Sequence, residues 1–280
     1  MLPAQAADGV RVPQGDIARI EVLIRPGDAA PWGSYRGEPV YFKGTGDGRF
    51  VGVLGIDMEA ATGRKPLEIR TIRDGVSQVL ARVPVEVVPG DFGVQHLTLP
   101  EKMVDLDQPT LKRVGREKQE VAELWSGGRK DPLWRETWDM PVDGTSGGSF
   151  GKRRVINGKP RSPHNGEDFS APSGTLVRAP NTGIVRLAKD RYFGGLTVFL
   201  EHGGGLFTFY MHLSEISVTD GQRVKAGDVI GRVGQSGRAT GPHLHWGGRL
   251  GNARINPLRL VQEAPGYRID AGDGPAAAGP

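Results

Sequence analysis

Leu206-Phe207-Thr208-Phe209-Tyr210-Met211-His212 alternates apolar and polar side chains with a period of two, which predicts a β-strand with two unlike faces. Phe207, Phe209 and Met211 mark one face, and Thr208, Tyr210 and His212 the other. Leu196-Thr197-Val198-Phe199-Leu200 lies just upstream, and Gly203-Gly204-Gly205 between the two runs predicts a hairpin. The polar face of its second arm is a surface on which a catalytic site can be built.

Two other stretches carry matching chemistry. His243-Leu244-His245 reads as strand, so both imidazoles point to one side. Pro163 and Asn165-Gly166 disfavour a helix around His164, so His164 and Asp168 are expected to flank a turn that runs into a strand. The chain has no cysteine, and any zinc must be held by nitrogen and oxygen. Catalytic zinc takes three protein ligands and leaves a position for water, whose pKa falls to about 7 when bound. His164, Asp168 and one of the pair His243 and His245 supply such a set, and two further histidines then remain for proton transfer. The H-E-x-x-H helix of many metalloproteases is absent. Each fragment alone is weak; their joint occurrence with Tyr210-x-His212 in one glycine-rich segment is not. His202, beside the glycine turn, is expected to orient the hairpin rather than bind metal. Glu167 should point away from Asp168 into solvent. Gly234 to Pro242 forms one rim of the expected groove, where Ser236 and Thr240 are candidates for substrate contact or for turn formation.

Around this region, 280 residues allow two domains, and 43 glycines with 21 prolines favour short strands and many turns. The fold class expected is mainly β: residues 16–100 a small β-sandwich, 101–148 a linker helix followed by an extended wrap, 149–262 an antiparallel β domain with a duplicated motif. Residues 1–15 resemble the end of a truncated export signal or a disordered start, and 263–280 a flexible tail. Leu111, Val114, Val121 and Trp125 fall on one helical face capped by Asp107, which predicts a packing face between domains. The duplication is seen in Gly174-Thr175-Leu176-Val177-Arg178-Ala179, which returns as Gly221-Gln222-Arg223-Val224-Lys225-Ala226. No apolar run approaches the roughly 18 residues of a membrane span, so no transmembrane segment is expected. A formal charge of +4 is too small to argue for nucleic acid over plain solubility.

His164-Asn165-Gly166-Glu167-Asp168, Tyr210-Met211-His212-Leu213 and Gly241-Pro242-His243-Leu244-His245-Trp246 closely resemble the lysostaphin-type, or β-lytic, zinc endopeptidases, as do Ala171 to Thr175 and Gly227 to Gly231. The resemblance runs from about Ser149 to Leu260. It implies one zinc ion per chain on His164, Asp168 and His245, with His212 and His243 as the catalytic pair. It also implies an antiparallel β fold with a duplicated motif, peptidoglycan peptides as substrate, and an exported or periplasmic location. The front domain is similar to accessory β domains of some Gram-negative-type members, and the placement of a β domain and helix before the catalytic region suggests intramolecular inhibition by an amino-terminal domain lying across the groove, as inhibitory segments do in some relatives.

Overall fold

In the computed structural model of the chain, residues 9–98, 100–101 and 104–271 are described. Strands dominate, and most belong to one sheet of eight strands and one of ten. The first sheet runs in space through Val10–Pro13, Val76–Val88, Gly63–Arg73, Trp32–Tyr35, Glu38–Gly46, Arg49–Gly55, Ile17–Leu23 and Gly266–Asp270. In Val76–Val88 the alternation is plain, with Val83, Val85 and Val87 buried while Arg82 and Pro84 are exposed. Every strand of this sheet sends a side chain into one core, which includes Val12, Val85, Leu67, Tyr35, Phe42, Leu54, Ile20 and Ile269.

The two ends of the chain depart from expectation. Val10–Pro13 is a strand, parallel to Val85–Val88, where a signal remnant or disordered start was expected over 1–15. Gly266–Asp270 lies within the expected flexible tail but pairs in parallel with Arg19–Leu23. The glycine-, alanine- and proline-rich composition begins only at Ala271; before it, Ile269 is buried, with Arg268 and Asp270 on either side exposed, and this short strand covers an edge of the sheet. Residues 1–8 and 272–280, to which the export-signal and tail expectations also apply, lie outside the described residues.

Gln108–Ser126 is helical, and the Asp107 side chain accepts from Thr110 N at 2.8 Å as its cap. Its apolar face does not sit between domains. Val121, Leu124 and Trp125 pack on Leu187, Phe199 and Phe209 of the second sheet, and Leu111 is exposed. The joint is made instead by the extended segment that follows: Trp134 and Trp138 pack with Ile17 and Val51 of the first sheet and with Leu206, Ile255 and Leu260. Among the described residues no helix is long and apolar enough to cross a membrane.

In the ten-stranded sheet, Gly195–Gly203 and Leu206–Ile216 form the expected antiparallel hairpin, flanked by Gly183–Arg191 and His243–Leu250. The duplicated motif explains its far end. Leu176–Arg178 of the first copy pairs with Val229–Val233, which follows the second copy; Arg223–Val224 of the second pairs with Gly183–Arg191, which follows the first. This reciprocal exchange buries Val177 and Val224 in the core beneath the hairpin.

Candidate active site

Gly166–Ser170 and His243–Leu250 are antiparallel neighbours with Asp168 directly opposite His245, so both side chains emerge on the same face. His243, two residues before His245, shares that face. His164 lies in the loop just ahead, held by its N–H to Lys152 O at 3.0 Å and its carbonyl to Gly151 N at 2.8 Å. Its Nδ1 is 3.1 Å from Ser149 O. A carbonyl only accepts, so Nδ1 carries the proton and Nε2 keeps its lone pair.

His164 Nε2 lies 2.9 Å from His245 Nδ1 and 3.2 Å from Asp168 Oδ1, and His245 Nδ1 lies 2.9 Å from the same oxygen. Two acceptors therefore face each other with at most one proton, on His245 Nδ1, to serve both. A cation resolves this conflict. Ligand atoms at 2.0–2.1 Å in a tetrahedral site stand about 3.3 Å apart, close to the spacing seen here. The three residues are the group among the described residues that could hold a metal ion. Burial pushes the His164 imidazole down to about 4, so at neutral pH it is uncharged and available as a ligand. Burial also opposes the Asp168 carboxylate, but the neighbouring His164 and His245 imidazoles outweigh it and hold that group below the usual carboxylate range.

His212 reaches this face by breaking the strand rule. Met211 pairs with His245, so strict alternation would turn His212 to the opposite side with Tyr210. Pairing shifts there: Val198 opposes Tyr210 and Leu196 opposes Leu213, which leaves Met211 and His212 together across from Thr197 alone, a β-bulge. His212 takes a left-handed φ of 64°, and its N–H is held by Gly194 O at 2.7 Å. Its ring is thereby brought 4.7 Å from His243 and 6.1 Å from His245. His212 Nδ1 donates to Ser236 O and His243 Nδ1 to Gly241 O, each at 2.8 Å, so both rings keep an Nε2 lone pair. His243 Nε2 stands 3.8 Å from Asp168 Oδ1. Burial lowers the His212 pKa to about 3.

All five residues singled out in the sequence, His164, Asp168, His212, His243 and His245, thus meet at one place. Among the other residues singled out, some expectations change and others hold. Thr208 and Tyr210 do not line the site: they are fully buried, and Thr208 Oγ1 lies 2.7 Å from both His202 Nε2 and Tyr210 OH. His202 anchors the hairpin through Thr182 O at 2.8 Å, as a structural residue. Glu167 is not solvent-facing but 1% exposed. Its carboxylate accepts from Ser149 N and Phe150 N, both at 2.9 Å, and from Ser146 Oγ at 2.7 Å. It thereby fixes Ser149, whose Oγ accepts from Asp168 N at 2.8 Å and whose carbonyl orients His164. Ser236 is committed to the scaffold, accepting from Leu196 N and donating to Leu213 O. Gly166 was passed over as a mere turn residue; a Cβ there would lie 2.5 Å from His245 Nε2, so only glycine leaves room for that imidazole.

Residues 162–257 match the sequence profile of Peptidase family M23. A crystal structure assigned to peptidase M23 from Pseudomonas aeruginosa superposes with a TM-score of 0.66 at 32% identity, covering 89% of this chain and 94% of that one. Peptidoglycan DD-endopeptidase ShyA from Vibrio cholerae is 38% identical over 142 residues, 48% of this chain and 33% of that protein. DD-carboxypeptidase/endopeptidase Mpg from Neisseria meningitidis is 40% identical over 102 residues, 36% of this chain and 24% of that protein. The chain thus spans between a quarter and a third of the length of these curated relatives. A shared sheet architecture along nearly the whole of one M23 structure, and a profile match that encloses all five clustered residues, lead to one conclusion: the chain belongs to the M23 metallopeptidase family.

Proposed function

We propose that this chain is a zinc-dependent endopeptidase that hydrolyses peptide bonds in the stems or cross-links of bacterial peptidoglycan. One observation carries the reading: three ligand atoms of His164, Asp168 and His245 converge within hydrogen-bond distance, and two more imidazoles stand beside them with their Nε2 lone pairs unspent. The names of ShyA and Mpg, both endopeptidases, support the substrate class. His164 Nε2, Asp168 Oδ1 and His245 Nδ1 would hold the ion; the set of two imidazoles and one carboxylate suits zinc. When bound, zinc supplies Lewis acidity that polarises the scissile carbonyl and acidifies water.

The remaining work belongs to His212 and His243. With Nδ1–H engaged by a backbone carbonyl, each ring offers Nε2 toward the reacting groups. One neutral ring takes the proton of the attacking water. The other, once protonated at Nε2, stabilises the oxyanion that develops on the scissile carbonyl, and the first ring passes the water's proton to the departing amine as the C–N bond breaks. Burial of His212 keeps it neutral at the pH of the reaction. A peptidoglycan substrate places the reaction outside the cytoplasm, in the periplasm or beyond. Purified, zinc-loaded protein should release new amino termini from sacculi, and His212→Ala should abolish that release while keeping zinc. Sacculi and cross-linked peptides left intact by the zinc-bound wild type would refute the proposal.

A regulatory reading accompanies it, in which the amino-terminal sheet domain restricts entry to the groove. Val94–Leu97, just after that domain, pairs in parallel with Arg153–Ile156, the strand that leads toward His164. Because Gly266–Asp270 is bound to the front sheet and the helix covers Phe199 and Phe209, the fair comparison is a chain of residues 105–262. It should cleave soluble muropeptides faster than the whole chain; equal rates would end this reading.

A further inference from the structure

The helix Gln108–Ser126 lies outside the segment matched by the family profile, yet it reaches the turn that holds His212. We propose that Glu117 on this helix is a positioning residue for His212, acting through the Tyr192–Gly195 turn. The inference rests on the reading of His212 as a proton-transfer residue.

The turn joins the antiparallel strands Gly183–Arg191 and Gly195–Gly203. Both carboxylate oxygens of Glu117 accept from Tyr192 N at 3.1 Å, and Arg113 Nε donates to the same carboxylate at 2.7 Å. The Arg113 guanidinium lies 5.9 Å from the Tyr192 ring, which closes the clamp. Two residues on, Gly194 O takes the N–H of His212. The turn is also locked to Ser236–Arg238. Arg238 N donates to Phe193 O at 2.9 Å, and Leu196 N to Ser236 Oγ at 2.9 Å. A Cβ on Gly195 would lie 2.2 Å from Ser236 Oγ, and one on Gly237 would lie 2.2 Å from Gly195 N. The two segments are therefore packed backbone against backbone. Between them they hold His212 at both ends, the backbone N–H on Gly194 O and the ring Nδ1–H on Ser236 O. A left-handed residue in a bulge does not keep this conformation unaided. Glu117 ties the turn to the helix at Tyr192 N.

Glu120, one turn further along the helix, provides the control. It pairs with Lys189 and Arg191 in the stem of the same hairpin, so it docks the same helix without a bond to Tyr192. Zinc-loaded full-length variants are compared on a soluble cross-linked muropeptide. Glu117→Ala should lower kcat about tenfold with KM and bound zinc unchanged, as expected for a misplaced catalytic group. Glu117→Gln, whose amide oxygen still accepts from Tyr192 N, should recover most of the rate, and Glu120→Ala should stay within about twofold of wild type. If Glu117→Ala does not fold, Glu117→Met, similar in size but without an acceptor, takes its place. The proposal is overturned if the Ala or Met variant turns over like wild type, if Glu120→Ala is equally impaired, or if Gln rescues nothing. Should His212→Ala itself retain full turnover, the functional reading has failed; if that variant is inactive and Glu117→Ala is not impaired, only the positioning role has failed.

Discussion

Replacing Glu167 tests how strongly the metal centre depends on the loop behind it. The carboxylate is buried and accepts two backbone N–H bonds and one hydroxyl bond from Ser146 to Phe150. A hydrogen bond to a charged acceptor contributes roughly 1.5–3 kcal/mol, against about 1 kcal/mol for a neutral one. Glu167→Gln keeps an amide oxygen where Oε2 stands, so two bonds lose about 1 kcal/mol each and the protein about 2 kcal/mol. Glu167→Ala strands the buried N–H groups of Ser149 and Phe150, at about 1–3 kcal/mol apiece, for a loss near 4 kcal/mol and a fall in Tm of roughly 10 °C. Ser149 also orients His164 and receives Asp168 N, so its release should cost the Ala variant about 10- to 100-fold in zinc affinity, with Gln intermediate. Thermal unfolding of the metal-free protein and zinc competition against a chelator read the two effects separately. Zinc binding as tight in Glu167→Ala as in wild type would refute the coupling, whatever the stability.

Gly166→Ala should weaken zinc binding with little change in secondary structure, because the added methyl displaces the His245 ring; chelator competition checks it. His212→Gly should be inactive on sacculi yet retain its metal, since a glycine takes the left-handed backbone freely while the proton-transfer ring is gone. His202 is buried and its pKa is pushed down to about 4, so the unfolded chain, with a value near 6.5, binds more protons between those limits. The stability it contributes is complete above pH 6.5, is lost as pH falls toward 4, and amounts to about 3 kcal/mol. Urea titrations at pH 7 and pH 4.5 should show a smaller loss in His202→Gln; identical losses would contradict the assignment.

The sequence already shows the parts whose geometry follows from a repeat of two. His243 and His245 share a face because they lie two apart in one strand, and the duplicated Gly-Thr-Leu and Gly-Gln-Arg runs announce a repeated β unit, though not the exchange of partners between its copies. The cap at Asp107 is equally local. What depends on pairing register was hidden. Alternation alone puts His212 beside Tyr210 and away from His245, and only the bulge opposite Thr197 reverses it. Glu167 reads as a surface carboxylate until the fold brings the Ser146–Phe150 backbone over it. The partner of the helix was misjudged because an apolar stripe states that something is covered, not what covers it. Gly266–Asp270 is too short to announce itself beside a glycine-rich tail, and it is held by the edge it meets.

The most direct test of the central claim is anomalous diffraction at the zinc absorption edge from zinc-loaded crystals. A single peak bonded to His164 Nε2, Asp168 Oδ1 and His245 Nδ1, with His212 and His243 close by but unbound, is the predicted result. A peak that also binds His212 or His243, or one that lies elsewhere, would contradict it.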